Sequence, residues 1–303
     1  MRVVIVGMGI QGNKRKKFLG ADFSSSVDKF KKANYKTIQS VPTKSYDAVF
    51  VCVPDNQKLD IIKYCLKNKK HVLVEKPFFI KDKKQLNSLS KISKKNKLIF
   101  YTAYNHRFEP NIVKLKNFID KKILGKIYSC RIFYGNGTSL LVKKSKWRDK
   151  GKGVLTDIGS HLFDICFFLF GENYTNLNLL ESNKFENKAP DHSIVTLKRK
   201  DMRLELEMSL CSWMNTFTCD IYASKGSVHL NSLCKWSKNS FIFRKRKLPS
   251  GKPKEAIFFF KKGDPTWNLE YKFFKKLIKN KIKKTTLEKD YKINNLFKQL
   301  KTK

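Results

Sequence analysis

The chain has 303 residues, enough for two domains with separate cores, and its 41% hydrophobic and 13% aromatic content excludes a disordered chain. No apolar run approaches the ~18 residues needed to cross a bilayer. The opening MRVVIVGMGI reads as a first strand and not as a signal peptide, so a cytoplasmic protein is expected. The formal charge of +40 would attract anions or nucleic acid. Lys, however, vastly outnumbers Arg and is spread through KRKK (14–17), KNKK (67–70), KKNK (94–97) and KIKK (281–284), whereas base-reading and phosphate-forking surfaces favour Arg. A lysine-coated solvated surface is therefore expected in place of a nucleic-acid site, with a phosphate-bearing substrate left open.

In chain order, RVVIVG is a buried strand, followed at once by a helix from Gly12 to Leu19. FSSSVD forms a short second strand. Ala48 to Val53 is a third, stopped by Pro54, and a helix follows through IIKYCLKN. HVLVEKP is the next strand. Asp82 to Lys94 is helical with Asp82 as its N-cap, and LIFYTAY (98–104) closes the series. Continuous apolar strands alternating with helices imply a parallel sheet covered on both faces. After Tyr104 the pattern changes. Met202 to Ser209, MRLELEMS, alternates strictly, and FTCDIYA, SVHLN, SFIFRKR and AIFFFKK add strands with short connections. Such runs suggest an antiparallel sheet with one solvated face. The C-terminal KTTLEKDYKINNLFKQLKTK reads as a last amphipathic helix. The predicted organisation is thus α/β: a doubly wound parallel sheet of the Rossmann type over residues 1–104, then an α+β domain over residues 105–303 with an open, mainly antiparallel sheet.

Seven scattered cysteines form no C-x-x-C pair, and five dispersed histidines show no ligand spacing. Buried thiols in a reducing compartment are expected, and no metal site. Chemistry-bearing residues appear elsewhere. VVIVGMGIQG places Gly7, Gly9 and Gly12 directly after a strand, at the start of a helix. Gly7 permits the tight turn, Gly9 lets backbone approach a pyrophosphate, and Gly12 lets the helix pack closely. Ile10 and Gln11 fall within the same turn. Asp28 closes FSSSVD, somewhat nearer to the glycines than the usual ~20 residues. A carboxylate there holds ribose hydroxyls and disfavours a 2′-phosphate, so NAD is favoured. Lys29, Lys31 and Lys32 soften that preference and leave NADP open, and the bland role for Asp28 is to cap a following helix.

Lys76 ends HVLVEKP at the carboxyl edge of the parallel sheet, where ligands of such folds bind. A lysine at that edge can stabilise a developing alkoxide. The Lys76–Pro77 peptide is open to the cis form, although only ~5% of X–Pro peptides adopt it. In GVLTDIGSHLFDICFFLFG (153–171), three charged or titratable side chains interrupt an apolar helix. If Asp157 begins that helix, His161 lies four residues on and Asp164 seven on, all within one narrow strip. Asp157 serves as an N-cap in the bland reading, and His161 as a core imidazole bonded to it. A histidine oriented by a carboxylate is equally the equipment of a general base near neutral pH.

Gly7-Met-Gly9-Ile-Gln-Gly12, Glu75-Lys76-Pro77, Tyr104-Asn-His-Arg107-Phe, Trp147-Arg148 and Asp157-Ile-Gly-Ser-His161-Leu-Phe-Asp164 occur in this order. Together they resemble the glucose–fructose oxidoreductase / inositol dehydrogenase / MocA (Gfo/Idh/MocA) family. ASKGS (223–227) and the W-x-x-E-x-x-F of Trp267, Glu270 and Phe273 extend the resemblance over nearly the whole chain. The resemblance implies hydride transfer between a nicotinamide and a hydroxyl-bearing carbon of a sugar, nucleotide sugar or polyol. Lys76, Asp157 and His161 become the catalytic set: His161 exchanges the hydroxyl proton, Lys76 polarises the oxygen, and Asp157 orients His161 or binds a neighbouring hydroxyl. Val53, Pro54, Asn56, Glu75, Asn105, Trp147 and Arg148 would join the glycine turn in the cofactor site. Tyr104 and Arg107 would face substrate, and Asp164 would hold the helix against its neighbours. A homodimer or tetramer is also implied. Two departures bear on the substrate. Lys58 stands where the family's Pro-Asn-x-x-His has histidine, and Gly151-Lys-Gly153 replaces an unbroken glycine run. Another carbonyl or imine reduction on the same scaffold, or a cofactor-binding regulator without turnover, stays open at this level.

Overall fold

The computed structural model describes residues 1–145, 148–236, 238–282 and 285–301. The chain divides into two compact units. The first comprises Met1–Asn105 with Thr266–Asn294, and the second His106–Pro265 with Asn295–Lys303.

In the first unit, β1 (Val3–Val6), α1 (Ile10–Lys16), β2 (Phe23–Val27), β3 (Ala48–Val51), α2 (Asp55–Lys67), β4 (His71–Glu75), α3 (Lys83–Lys95) and β5 (Phe100–Ala103) follow in sequence. The strands are parallel in the order β2-β1-β3-β4-β5. They lack polar alternation because both faces are covered. Val4, Val6, Val49, Val51, Val72 and Val74 pack under Ile62, Cys65 and Leu66 of α2 and Leu86 and Leu89 of α3. Val3, Ile5, Ala48, Phe50 and Leu73 face the other way. The Asp82 side chain accepts the Gln85 N–H at 2.8 Å, the cap read from the sequence.

The second unit runs through α4 (Pro110–Asp120), β6 (Ile127–Gly135), α5 (Ser139–Lys143), α6 (Val154–Asp157), α7 (Gly159–Phe170), β7 (Thr175–Asn183), β8 (His192–Arg199), β9 (Met202–Ser209), β10 (Thr216–Ala223), β11 (Gly226–Asn231), β12 (Ser240–Lys245) and β13 (Lys254–Phe258). Its sheet has the order β13-β12-β11-β10-β6-β9-β8-β7. The pairing is antiparallel except between β6 and β9. β9 and β10 run in opposite directions on either side of β6, so one of the two must run parallel to it. One face buries Ile132, Leu206, Met208, Phe217 and Ile221. α7 comes close enough that a Cβ on Gly159 would lie 3.0 Å from the Met208 sulfur. The other face is laced with ion pairs, Arg131 to Glu205 and Glu207, and Arg244 to Glu255. The alternation in MRLELEMS is this division between faces.

The chain then returns to the first unit with α8 (Thr266–Lys279) and the beginning of α9 (Leu287–Gln299). A boundary after residue 104 with all later residues in one domain misses this return. The reason is that α2 and α3 both lie on one face of the sheet, which Ile38, Val41 and Tyr46 of the β2–β3 connection also help to cover. The opposite face, which has only the short α1 beside Ile5 from the preceding helices, is covered by Tyr271, Phe274 and Leu277 of α8. Thr286 serves the same unit by pairing along β5, taking its backbone N–H to Phe100 O and accepting the Thr102 N–H. That protects an edge strand from stray pairing. No helix among the described residues is long and apolar enough to cross a membrane.

One buried charge joins these parts. Arg15 of α1 is 3% exposed, donating through Nε to Glu75 Oε1 and through Nη1 to Glu270 Oε2, both at 2.7 Å. Its guanidinium also stacks over Trp267 at 4.4 Å. Burial opposes the charge, but the two carboxylates overcome that and raise its pKa. Arg15→Met should strand both acids and cost about 3–5 kcal/mol in urea unfolding. A midpoint equal to wild type would show that the triad contributes nothing. Adding Glu270→Gln should recover part of the loss.

Candidate active site

In the first unit the β1–α1 turn is built as the glycines predict. Gly7 has φ +97°, and a Cβ there would lie 2.5 Å from the Cys52 carbonyl oxygen. On Gly12 a Cβ would fall 1.9 Å from Gly7 O, so the helix can start only because that side chain is missing. Above Gly9 nothing approaches within 4 Å of the corresponding position, and the neighbouring Ile10 and Gln11 are exposed. This open backbone fits a dinucleotide pyrophosphate. Asp28 closes the cradle from β2. Its Oδ2 accepts the Met8 N–H at 2.7 Å, and its Oδ1 accepts those of Phe30 and Lys31 at 2.9 and 2.8 Å. Partial burial would raise the Asp28 pKa, but these donors hold it below the ordinary carboxylate value. No helix follows Asp28, so its capping bonds hold a turn.

At the carboxyl ends of neighbouring strands, Val53, Pro54 and Asn56 lead from β3 into α2, and Glu75 and Lys76 end β4. The Glu75 carboxylate is committed to Arg15. Lys76 is half-buried, and the Lys76–Pro77 peptide is cis. The Asn105 side chain is buried and donates to Thr266 Oγ1 at 2.7 Å. Tyr104 is buried beneath the Lys289 ammonium, 4.3 Å from its ring centre.

The second unit assembles a different group. Asp157 does not begin the apolar helix. It ends α6, and Ile158, with φ −83° and ψ −42°, carries the chain on into α7. The Asp157 Oδ2 accepts from Arg148 Nη2 at 2.7 Å, which joins two residues read as separate site members. Trp147 lies outside the described residues. Asp164 receives a fork from Arg107, Nε to Oδ2 at 2.6 Å and Nη2 to Oδ1 at 2.8 Å. The Arg107 guanidinium is thereby committed to the helix that carries His161.

The side chain from this turn that faces His161 is His106, which the sequence did not single out. The two imidazole centres are 4.2 Å apart with a 37° tilt. Tyr134 packs beside both, at 5.5 Å from His106 and 6.2 Å from His161, and rests on Trp236 at 5.3 Å. Lys235 Nζ lies 3.0 Å from His106 Nε2. An ammonium only donates, so that nitrogen accepts and the opposite one carries the proton. Burial, followed by the charges of Asp157 and Asp264, raises the Tyr134 pKa and keeps the phenol protonated. Residues 105–108 form a 3-10 turn, which sends successive side chains in different directions. Asn105 goes to Thr266, His106 to His161 and Arg107 to Asp164. The only sequence signal for His106 was its place inside Tyr104-Asn-His-Arg107-Phe.

Two family models cover most of this chain. The NAD-binding Rossmann fold of the oxidoreductase family matches residues 5–104, and the GFO/IDH/MocA C-terminal domain matches residues 112–229. The chain belongs to the Gfo/Idh/MocA family. Among its Gfo/Idh/MocA relatives, myo-inositol 2-dehydrogenase of Thermotoga maritima is 29% identical over 126 residues, 42% of this chain and 36% of that protein. Glucose-6-phosphate 3-dehydrogenase of Bacillus subtilis is 30% identical over 110 residues, 35% of this chain and 31% of that one. These matches span about half the length of the curated relatives or less. In fold, the chain is similar to levoglucosan dehydrogenase in complex with NADH, with TM-score 0.80 and 16% identity over 97% of this chain and 94% of that chain. A putative NADPH-dependent oxidoreductase from Desulfitobacterium hafniense gives TM-score 0.81 and 17% identity over 97% and 92%.

Close to His106 in sequence, Glu109 is fully buried and accepts the Cys234 N–H through Oε1. Burial raises its pKa, with Asp264 adding to the effect and Lys235 opposing it. A raised carboxyl pKa makes its contribution fully present below the unfolded value, about 4.3, and lost as pH rises through the folded value. Glu109→Gln should therefore leave stability unchanged at acid pH and raise it at neutral pH, by urea unfolding at both. Equal effects at the two pH values would contradict this.

Proposed function

We propose that the chain is an NAD(P)-dependent dehydrogenase or reductase acting on a hydroxyl-bearing carbon of a sugar, a nucleotide sugar or a polyol. The observation that carries this reading is the cluster around His161. A histidine kept only for packing would sit among apolar side chains. This one faces a second imidazole tied to an ammonium, beside a buried phenol. Polar groups are costly to bury without partners or a task.

The nicotinamide, when bound, supplies the hydride acceptor or donor. Gly7, Gly9, Ile10, Gln11 and Gly12 would hold the dinucleotide at the open turn, with Val53, Pro54 and Asn56 at the neighbouring strand end. Asp28 would accept from ribose hydroxyls, and its charge would repel a 2′-phosphate, which favours NAD. His161 takes the hydroxyl proton as the carbon is oxidised and returns it in reduction. Lys76 donates to the same oxygen and stabilises its negative charge. Asp157, held by Arg148, shapes the field around His161. The named activities of the inositol and glucose-6-phosphate dehydrogenases among the relatives support the sugar or polyol class. The free thiols of all seven cysteines support a cytoplasmic setting. A homodimer or tetramer completes the proposal.

The test combines NADH fluorescence titration with turnover on a panel of sugars, sugar phosphates, nucleotide sugars and polyols. His161→Asn should lower kcat by about 10²–10⁴-fold and leave NADH affinity unchanged. Undiminished turnover in that variant would remove His161 from its role.

A further inference from the structure

Lys58, which replaces the family's histidine, occupies the first turn of α2 and is 2% exposed. Its ammonium makes three contacts: to the carbonyl oxygen of Glu75 at 2.6 Å, to that of Pro77 at 2.7 Å, and to Asp55 Oδ1 at 2.6 Å. Three N–H donors thus meet three acceptors. The two carbonyls belong to the residues immediately before and after Lys76. Burial favours the neutral amine, and Asp55 opposes it. Loss of the proton would leave fewer donors than acceptors. A methionine would fill the same space without charge, and a buried ion pair contributes little net stability compared with such packing. What methionine cannot do is hold two backbone carbonyls at once.

We propose that Lys58 is the positioning residue of Lys76, clamping the peptide on both sides of it so that the Lys76 ammonium is presented in one place. This inference rests on the reading of Lys76 as the group that polarises the substrate oxygen. It concerns the chain's own substitution, since a shorter imidazole meets these carbonyls with at most two ring nitrogens.

The test compares Lys58→Met, Lys58→His and the double variant Asp55→Asn/Lys58→Met, which also removes the Asp55 carboxylate that Lys58 pairs with. Thermal midpoints and NADH titration establish that each is folded and binds dinucleotide. On a compound that the wild type turns over, Lys58→Met and the double variant should lose about 100-fold in kcat, as for a misplaced catalytic group. KM and NADH affinity should hold, and Lys58→His should recover part of the loss. The second readout needs no substrate: the rate at which Lys76 is reductively methylated, followed by peptide mass spectrometry across pH. Its profile should shift in the methionine variants and return toward wild type with histidine. A folded double variant with wild-type kcat and a wild-type Lys76 profile overturns the clamp. If the wild-type protein turns over nothing, the functional reading fails separately. The methylation profile still decides whether Lys58 positions Lys76.

Discussion

A single guanidinium connects the parts of the first unit that matter for chemistry. Arg15 rises from the helix that follows the glycine turn, grips the carboxylate at the end of β4, and is held from the other side by Glu270 of α8. The turn that would cradle a dinucleotide and the strand end that presents Lys76 are therefore set by one charge network. Such a network is costly to desolvate, and a well-packed apolar core would often match its net stability. It supplies geometry instead: a fork that accepts only two carboxylates in fixed places.

The second unit repeats this use of buried polarity. Arg107 forks onto Asp164 and locks α7, while Arg148 holds Asp157 at the end of α6. Between those anchors lies His161, against the His106 ring. Each titratable group near it is oriented by a partner or by packing, so the imidazole environment is specified by several independent contacts. The outer face of the same sheet shows the opposite regime. Exposed pairs such as Arg244 with Glu255 contribute little individually and serve solubility more than shape.

Legibility in the sequence followed burial. β1, β3, β4 and β5 were readable because strands covered on both faces are apolar throughout, and MRLELEMS because one face is wet. The N-cap at Asp82 was readable because its bond is local. α8 carried an amphipathic pattern but no signal of which unit it would serve. Its place depends on α2 and α3 sharing one face of the sheet, which leaves the other face to be covered from elsewhere in the chain. The parallel β6–β9 pairing was equally hidden, since it arises from the order in which distant strands are added. In the candidate site, the glycines, Asp28, Lys76 and the Asp157–His161 pattern were visible as motifs. His106, Tyr134, Lys235 and Trp236 were not, because they come from three separate segments.

The sequence by itself determined the class of each unit, the glycine turn and the family motifs that contain the candidate site residues. These depend on local period, steric demand and chemical identity. Tertiary structure decided that Lys58 grips the carbonyls on both sides of Lys76 and that His106, not Asn105 or Arg107, faces His161. It also decided that Thr266–Asn294 rejoins the first unit. Those outcomes depend on side chains meeting across long sequence separations, and hydrophobic patterning carries no record of which distant partner will be met.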